Sequence, residues 1–278
     1  MLDLLAQAPD ETSLLAGGQS LVPVLNMRLA QPRRIVDLGH VAGLDTIEAM
    51  PDGRLRLGSM VRQRRLESES VMRERLPLMT DAARHIAHVA IRTRGTVGGS
   101  LAHADPAAEL PATVAALGGE LLVRGPNGDR AIPAGEFFVG PLTTAIEPGD
   151  LLVGVQVRPP PSGTGWAFEE VARTHGAFAL AAAAALLHLD ADGRIDTARL
   201  ALAGVGGAPY APGWLAETAV GELPGQDLFA HVGERVRAEV EPFDDIHAPA
   251  TYRKRLAGVL AARALGAAAA RAVNGAAA

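Results

Sequence analysis

The sequence predicts a protein of mixed helices and strands that divides into two parts. Its 278 residues are 48% hydrophobic and 21% charged, which is a globular composition and a length that can bury two cores. In the first half, short strand-like runs bounded by turn residues alternate with helical segments. The stretch RPPPSGTG at 158–165 holds three prolines and two glycines, as linkers do, so the boundary is expected there.

The first part begins with the end of a helix, followed by short strands. Residues 2–7 have the pattern of the last turns of a helix, which Pro9 and Asp10 end. Apolar runs bounded by turn residues then predict strands at 13–16, 34–39 and 54–61.

A helical region and three further strands complete the first part. In residues 62–90, apolar side chains recur at spacings of four, four and three, which predicts one apolar helix face of Leu78, Ala82, Ile86 and Val89. A short helix is predicted from Pro111 to the Gly118–Gly119 pair. Two strands around the turn PNGD and a strand at 151–157 follow.

The second part is predicted to hold three antiparallel strands and then helices. The strands are WAFEEVAR at 166–173, the apolar run at 177–189, and RIDTARLALAGVG after a DADG turn. The alanines at 179–185 favour helix equally, so the residues alone leave that run open. From about 227 onward the chain is rich in alanine and arginine and is predicted helical.

Composition excludes several classes of function. A net charge of -5 and a pI near 5.9 give no electrostatic reason to expect binding to nucleic acid or to an acidic membrane. The absence of cysteine excludes a disulfide, a thiolate nucleophile and a cysteine-ligated zinc or iron–sulfur site in this chain. The first residues have no basic region, and the apolar run at 177–189 is too short to cross a bilayer, so a cytoplasmic protein is expected.

Two glycine pairs carry the clearest functional signal. AGGQS (16–20) and TVGGS (96–100) share one form, in which an apolar strand end is followed by two glycines and a small polar residue. Glycine lets the backbone approach a bulky anion closely, and successive free N–H groups bind phosphate oxygens. Either pair alone is better explained as a tight turn, whereas the matched pair favours a site that grips the two phosphates of one dinucleotide.

Other phosphate and hydrolase motifs fit less well. The segment GVGGAP at 204–209 has proline where the third glycine of a dinucleotide fingerprint belongs, and it is interpreted as a turn at a strand end. No glycine-lysine pair occurs, so there is no Walker A sequence. Ser100, His103 and Asp105 lie too close along the chain to converge as a catalytic triad, and a polar loop is the better explanation.

Histidines and arginines add two weaker alternatives. His85 and His88, with Asp81, allow a metal site on a helix, but a solvated helix face explains them better. Arg92 and Arg94 precede the second glycine pair, where they could contact phosphate or simply flank a turn.

Together these residues resemble a known family. LLAGGQSLVPVLNMRLAQPRRIVDL and IRTRGTVGGSLAHADPAAELPA are similar to the two flavin-binding segments of the FAD-binding medium subunit of molybdenum hydroxylases. That family includes carbon monoxide dehydrogenase medium chains and the flavin part of xanthine dehydrogenases. The resemblance covers nearly the whole chain, including GWAFEEVARTHGAFAL and DDIHAPATYRKRLAGVL.

The resemblance implies an α+β fold. Residues 1–160 would form a two-subdomain FAD-binding domain of the vanillyl-alcohol-oxidase (PCMH) type. Residues 165–272 would form a smaller α/β domain with a three-stranded antiparallel sheet and helices, which makes the run at 177–189 a strand. Related subunits start earlier, with a strand and the beginning of a helix, so the resemblance also implies either a misassigned start or a missing edge strand.

The resemblance also implies which residues contact FAD. In the first segment they are Ala16, Gly17, Gly18, Gln19, Ser20 and Leu21, and in the second Thr96, Val97, Gly98, Gly99 and Ser100. Glu109 would lie by the ribose, and Leu152 and Phe178 by the flavin ring. Many relatives carry lysine near the flavin where this chain has Glu169 and Glu170, which would alter the reduction potential. No residue is expected to act as acid, base or metal ligand.

The function that the resemblance implies is electron transfer. FAD would accept electrons that a molybdenum-cofactor large subunit takes from substrate and a small subunit with two 2Fe–2S clusters relays, in a dimer of heterotrimers. The FAD would then reduce an external acceptor. Two alternatives stay open at this point, a self-sufficient flavoenzyme on the same fold and a scaffold that has lost FAD.

Overall fold

The structure, a computed structural model, describes residues 2–276. Its helices are α1 (Leu2–Gln7), α2 (Leu21–Asn26), α3 (Gln63–Ser68), α4 (Ser70–Arg75), α5 (Pro77–His85), α6 (Val89–Arg92), α7 (Val97–His103), α8 (Glu109–Leu117), α9 (Ala134–Phe137), α10 (Leu215–Ala219), α11 (Gln226–Glu239) and α12 (Ala250–Ala276). Its strands are β1 (Thr12–Leu15), β2 (Arg34–Asp37), β3 (Ile47–Ala49), β4 (Leu55–Gly58), β5 (Glu120–Gly125), β6 (Gly128–Pro133), β7 (Phe138–Gly140), β8 (Thr143–Thr144), β9 (Leu151–Val157), β10 (Gly165–Ala172), β11 (Ala179–Leu189) and β12 (Ile195–Ala203).

The chain opens with a small β–α–β unit. Strands β1 and β2 pair in parallel, with Leu15 opposite Asp37, and α2 lies in the connection between them. Parallel strands that end in register bring their carboxyl ends to one edge, so the turn after Leu15 and the turn after Asp37 are neighbours.

A five-stranded antiparallel sheet forms the centre of the first part. Its order is β3-β4-β9-β5-β6, and β9 pairs with both β4 and β5. Every residue of β9 except Gln156 is buried, as expected of a central strand. Helices α5, α7 and α8 supply the buried apolar side chains that complete this core.

The helical region 62–90 differs from its prediction. It divides into α3, α4 and α5, and α5 ends at His85. Ile86 is buried, but Val89 is 51% exposed and begins α6, so Val89 does not belong to the predicted apolar face. The break occurs where Ala87 adopts a left-handed conformation (φ 39°), and Arg92 donates to the carbonyls of Ile86 and Ala87 that this break frees.

The second part contains the predicted three-stranded antiparallel sheet, in the order β10-β11-β12. In β11, alternate residues belong to two cores. Ala182, Ala184 and Leu186 pack towards the first part, whereas Ala181, Ala183 and Leu187 pack towards α12. A strand buried on both faces shows no polar alternation, which explains why sequence pattern alone left helix open for this run.

Small residues let α12 approach the sheet and α11 closely. A Cβ on Gly165 would meet the Ala268 carbonyl of α12, and a Cβ on Gly233 of α11 would lie 2.5 Å from the Gly258 carbonyl oxygen. Among the described helices, α12 is the one long and apolar enough to cross a membrane by length and composition. Half of its apolar window is buried within the protein, where it covers one face of β10 and β11.

Candidate functional site

A cleft of about 740 Å³ opens where the β–α–β unit meets the rest of the first part. We call it the glycine cleft. It is lined by Leu15, Ala16, Gly17, Gly18, Gln19, Val22, Pro23, Asp37, Gly39, His40, Arg62, Thr93 and Arg94. The predicted residues Ala16 to Gln19 therefore form its wall, together with side chains from the end of β2 and from the segment before the second glycine pair.

The first glycine turn needs glycine for two different reasons. A Cβ on Gly17 would collide with the Arg94 carbonyl and lie 2.8 Å from the Cα of Gly95, so no side chain fits there. Gly18 has a left-handed backbone conformation (φ 74°), and any residue with a Cβ would destabilise the turn in this conformation. The turn can therefore pass directly over the segment that leads into the second glycine pair.

This turn leaves its backbone donors free. The amides of Gly18, Gln19 and Ser20 have no acceptor within residues 2–276, whereas Val22 already donates to the Gly18 carbonyl at 3.1 Å. Gln19 uses its side-chain nitrogen to donate to the Gly17 carbonyl (3.0 Å), which steadies the turn. Successive free amides at the edge of a cleft are suited to an anion, so this turn fits the phosphates of FAD.

The second glycine turn lies against the first but uses its amides differently. Gly99 would place a Cβ 3.5 Å from that of Ala16, so the two predicted segments do meet. The amides of Val97 and Gly98 donate to the carbonyls of Val61 (2.9 Å) and Ser59 (2.8 Å). Gly99 donates to the Thr96 hydroxyl oxygen at 3.0 Å, which caps α7, and none of the residues from Thr96 to Ser100 lines the cleft.

Two arginines line the cleft, and sequence reasoning identified one of them as a candidate. Arg94 belongs to the segment before Thr96, and Arg62 is at the N-cap position of α3 and donates to the Arg94 carbonyl. Arg92, by contrast, is buried and donates to Glu67 at 2.7 Å, so it has a structural role. Sequence reasoning missed Arg62 altogether, because it lies more than thirty residues before Arg94 along the chain.

The predicted residues Glu109, Leu152 and Phe178 lie outside the wall of this cleft. Leu152 is buried in β9 opposite Val123, whereas Phe178 is 71% exposed just before β11. Leu21 begins α2 beside the first turn. Their predicted contacts with the ribose and the flavin ring stay predictions.

Glu109 belongs to a buried pair of carboxyl groups between the two parts. Burial raises the pKa of Glu109, at the start of α8, to about 7. Burial, and then the nearby Glu109, raise the pKa of Glu170 to about 8. Glu170 stands opposite Ala182 in the sheet and so faces the first part, and its Oε2 is buried without a hydrogen-bond partner among the described residues. At neutral pH Glu170 is therefore mostly protonated, and Glu109 is divided between its protonated and ionised forms.

The side chains of the candidate catalytic triad and of the candidate metal site do not converge in the described part of the chain. Within residues 2–276, no hydrogen bond joins Ser100, His103 and Asp105, and Asp105 instead accepts from the Ala107 amide at 2.9 Å. His85 packs its ring on Phe168 with centroids 5.1 Å apart, and burial lowers the pKa of this histidine. No group of three metal-ligating side chains occurs in the described part of the chain.

Comparison with known families matches the two parts separately. A family described as the FAD binding domain in molybdopterin dehydrogenase matches residues 1–160. The CO dehydrogenase flavoprotein C-terminal domain matches residues 166–268.

Individual relatives match this chain over nearly its whole length. The chain is 39% identical over 274 residues to the caffeine dehydrogenase subunit beta of Pseudomonas sp. (strain CBB1), covering 98% of this chain and 92% of that protein. Among solved structures, carbon monoxide dehydrogenase from Hydrogenophaga pseudoflava superposes with a TM-score of 0.94 at 33% identity, covering 97% of this chain and 93% of that one. Quinoline 2-oxidoreductase from Pseudomonas putida 86 superposes with a TM-score of 0.91 at 35% identity, covering 98% and 93%.

The resemblance and the fold class predicted from the sequence are thereby confirmed, and the chain belongs to the family of FAD-binding subunits of molybdopterin dehydrogenases.

Proposed function

We propose that this chain is the FAD-binding electron-transfer subunit of a molybdenum-containing hydroxylase or dehydrogenase. The observation that carries the proposal is the first glycine turn, which presents three free amides in a cleft directly over the segment that leads into the second. The family match over residues 1–160 identifies the ligand as FAD. FAD supplies the redox chemistry, since no side chain at the site can accept electrons.

The chain's own residues have three tasks in this proposal. The amides of Gly18, Gln19 and Ser20 bind phosphate oxygens. Glu109, Leu152 and Phe178 are proposed to contact the ribose and flavin ring. None of these residues transfers a proton to a substrate, because substrate oxidation is assigned to another subunit.

The partners follow from what this chain lacks. It has no cysteine, so iron–sulfur clusters that deliver electrons to the flavin must be held by another polypeptide. We therefore propose a large molybdenum subunit and a small 2Fe–2S subunit as partners, with electrons passing from the small subunit to FAD and on to an external acceptor. We also propose that the chain divides into the two domains 1–160 and 165–272, and that the complex is cytoplasmic, because α12 covers the protein's own sheet.

A glycine substitution tests whether the first turn binds FAD. Gly17→Ala places a methyl group against the Arg94 carbonyl and is expected to lower the FAD content of the purified chain at least tenfold, since backbone must move. Gly213→Ala is the matched control, because a Cβ there has nothing within 4 Å. FAD content is measured from the flavin absorbance of each purified protein.

The outcomes separate the candidate functions. Full flavin occupancy in Gly17→Ala would contradict the assignment of this turn. If the wild-type chain does not bind FAD, the result would favour the alternative in which the chain is a scaffold. Substrate turnover by the wild-type chain without other subunits would favour the self-sufficient flavoenzyme.

A further inference from the structure

Three residues with charged side chains line the glycine cleft besides its glycine turn: Arg62, Arg94 and Asp37. Within residues 2–276, neither arginine forms a salt bridge, and the one bond from these two side chains runs from Arg62 to the Arg94 carbonyl. Nearby arginines behave differently, since Arg64 and Arg65 of α3 each pair with a glutamate at 2.9 and 2.8 Å. The cleft is therefore lined by two arginines that have no salt-bridge partner among the described residues.

Both arginines line the same cleft as the first glycine turn. Gly17 packs directly against the Arg94 carbonyl, so the Arg94 backbone and the turn residues Gly18 and Gln19 belong to one wall of the cleft. Guanidinium groups form paired, charge-assisted hydrogen bonds to phosphate, and backbone amides add neutral donors. Two guanidinium groups and three amides suit a ligand with two negative charges and several oxygens, which is a diphosphate.

Asp37 restricts the ligand further. Its Oδ1 accepts from the Gly39 amide at 2.8 Å, and its Oδ2 accepts no hydrogen bond from residues 2–276. A carboxylate beside an anion site repels a bare phosphate ion, but it accepts hydrogen bonds from hydroxyl groups. The arrangement therefore favours a diphosphate joined to a sugar or sugar alcohol over an inorganic anion.

The position of Asp37 follows from the β–α–β unit. Leu15 and Asp37 are opposite each other at the ends of parallel strands, so the glycine turn after one strand and the carboxylate of the other share an edge. In dinucleotide-binding folds, the pyrophosphate lies at the first strand's glycine turn and an acidic residue at the end of the second strand contacts sugar hydroxyls. The same placement occurs here without the three-glycine fingerprint.

We propose that Arg62 and Arg94 bind the diphosphate of FAD together with the amides of the first glycine turn, and that Asp37 accepts hydrogen bonds from hydroxyl groups next to it. The proposal rests on the proposed function, in which FAD is the ligand. Since a diphosphate in FAD is flanked by ribose on one side and ribityl on the other, the hydroxyl groups can come from either.

The arginines are tested by titrating the flavin-free full chain with FAD, ADP and riboflavin. Arg94→Gln is expected to lower the affinity for FAD and for ADP by about tenfold each, the usual loss for one hydrogen bond to a charged group. Riboflavin has no phosphate, so its affinity is expected to stay unchanged. The loss is also expected to shrink at high salt, because the interaction is partly exposed.

Matched variants separate binding from folding. Arg64→Gln removes an exposed arginine two residues from Arg62 that does not line the cleft, and it is expected to bind all three ligands as the wild type does. Arg62→Gln also removes the bond to the Arg94 carbonyl, so Arg62→Lys is measured beside it to keep the charge. Partial recovery of affinity in Arg62→Lys supports a charge effect, whereas equal losses of affinity in both Arg62 variants overturn the role of Arg62 as a phosphate ligand.

Asp37→Asn identifies the hydroxyl groups. A loss of ADP affinity with riboflavin unchanged places ribose beside Asp37, and the opposite pattern places the ribityl chain there. Unchanged affinity for both ligands would overturn the role of Asp37. If the wild type binds no FAD, the proposed function fails, whereas wild-type FAD binding that Arg94→Gln leaves intact overturns only this inference.

Discussion

The buried carboxyl pair gives a prediction whose sign and size follow from the structure. Glu170 has a pKa of about 8 in the folded protein against an ordinary value of 4.5, because it is buried and lies near Glu109. The folded chain therefore holds a proton that the unfolded chain releases between these two pH values. As pH rises from 4.5 towards 8, the free energy of unfolding falls, and above 8 the whole penalty is present.

Glu170→Gln removes this penalty while keeping the shape of the side chain. At 1.36 kcal/mol per pKa unit, the rise of Glu170 corresponds to an upper limit of about 5 kcal/mol. Partial exposure of the side chain to water and relaxation around it reduce this to about 2 kcal/mol. The variant is therefore expected to match the wild type at pH 5 and to be more stable by about 2 kcal/mol at pH 8.5.

Chemical denaturation of the flavin-free chain measures this difference. Both tryptophans, Trp166 and Trp214, lie in the second part, and Trp166 shares a strand with Glu170, so their fluorescence reports on the sheet concerned. Glu169→Gln is the control, because the adjacent residue on a strand points to the opposite face. A stability difference between Glu170→Gln and wild type that stays constant from pH 5 to pH 8.5, or that favours the wild type at high pH, would refute the reasoning.

Two further predictions concern the packing of the second part. Gly165→Ala forces a methyl group against the Ala268 carbonyl and is expected to lower the free energy of unfolding by about 1–3 kcal/mol, measured by denaturation against Gly213→Ala; equal stability of the two would contradict the close contact. Arg253→Met leaves both the Leu180 carbonyl and the Asp245 carboxylate, each bonded to Arg253 at 2.6 Å, without that donor and is expected to cost about 2 kcal/mol, seen as a lower melting temperature; an unchanged melting temperature would show that these two bonds together contribute nothing to stability.

Local pattern predicted most strands because each has a regular apolar pattern bounded by turn residues. It could not decide between helix and strand for the run at 179–185, since alanine fits both and both faces of β11 are buried. Helical spacing overran the true end of α5, because the turn at Ala87 is stabilised by Arg92, a contact that spacing does not record.

The candidate site was predictable in its backbone and less so in its side chains. Glycine pairs mark places where only backbone fits, and Gly17 and Gly18 show that requirement in the structure. Arg62 reaches the cleft through tertiary folding alone. The sequence does show an acidic residue, Asp37, at the end of the strand after the glycine turn. Its position beside that turn depends on the parallel pairing of the two strands, which a local pattern cannot reveal.

The two glycine turns have similar sequences but different physical roles, and this difference bears on how FAD is held. The first turn leaves the amides of Gly18, Gln19 and Ser20 without acceptors among the described residues, so anion binding there would depend on backbone position. The amides of Val97, Gly98 and Gly99 in the second turn all donate within the protein and hold α7 in place. In the proposed site, the first turn therefore supplies neutral donors, and the positive charge comes from Arg62 and Arg94 in other segments.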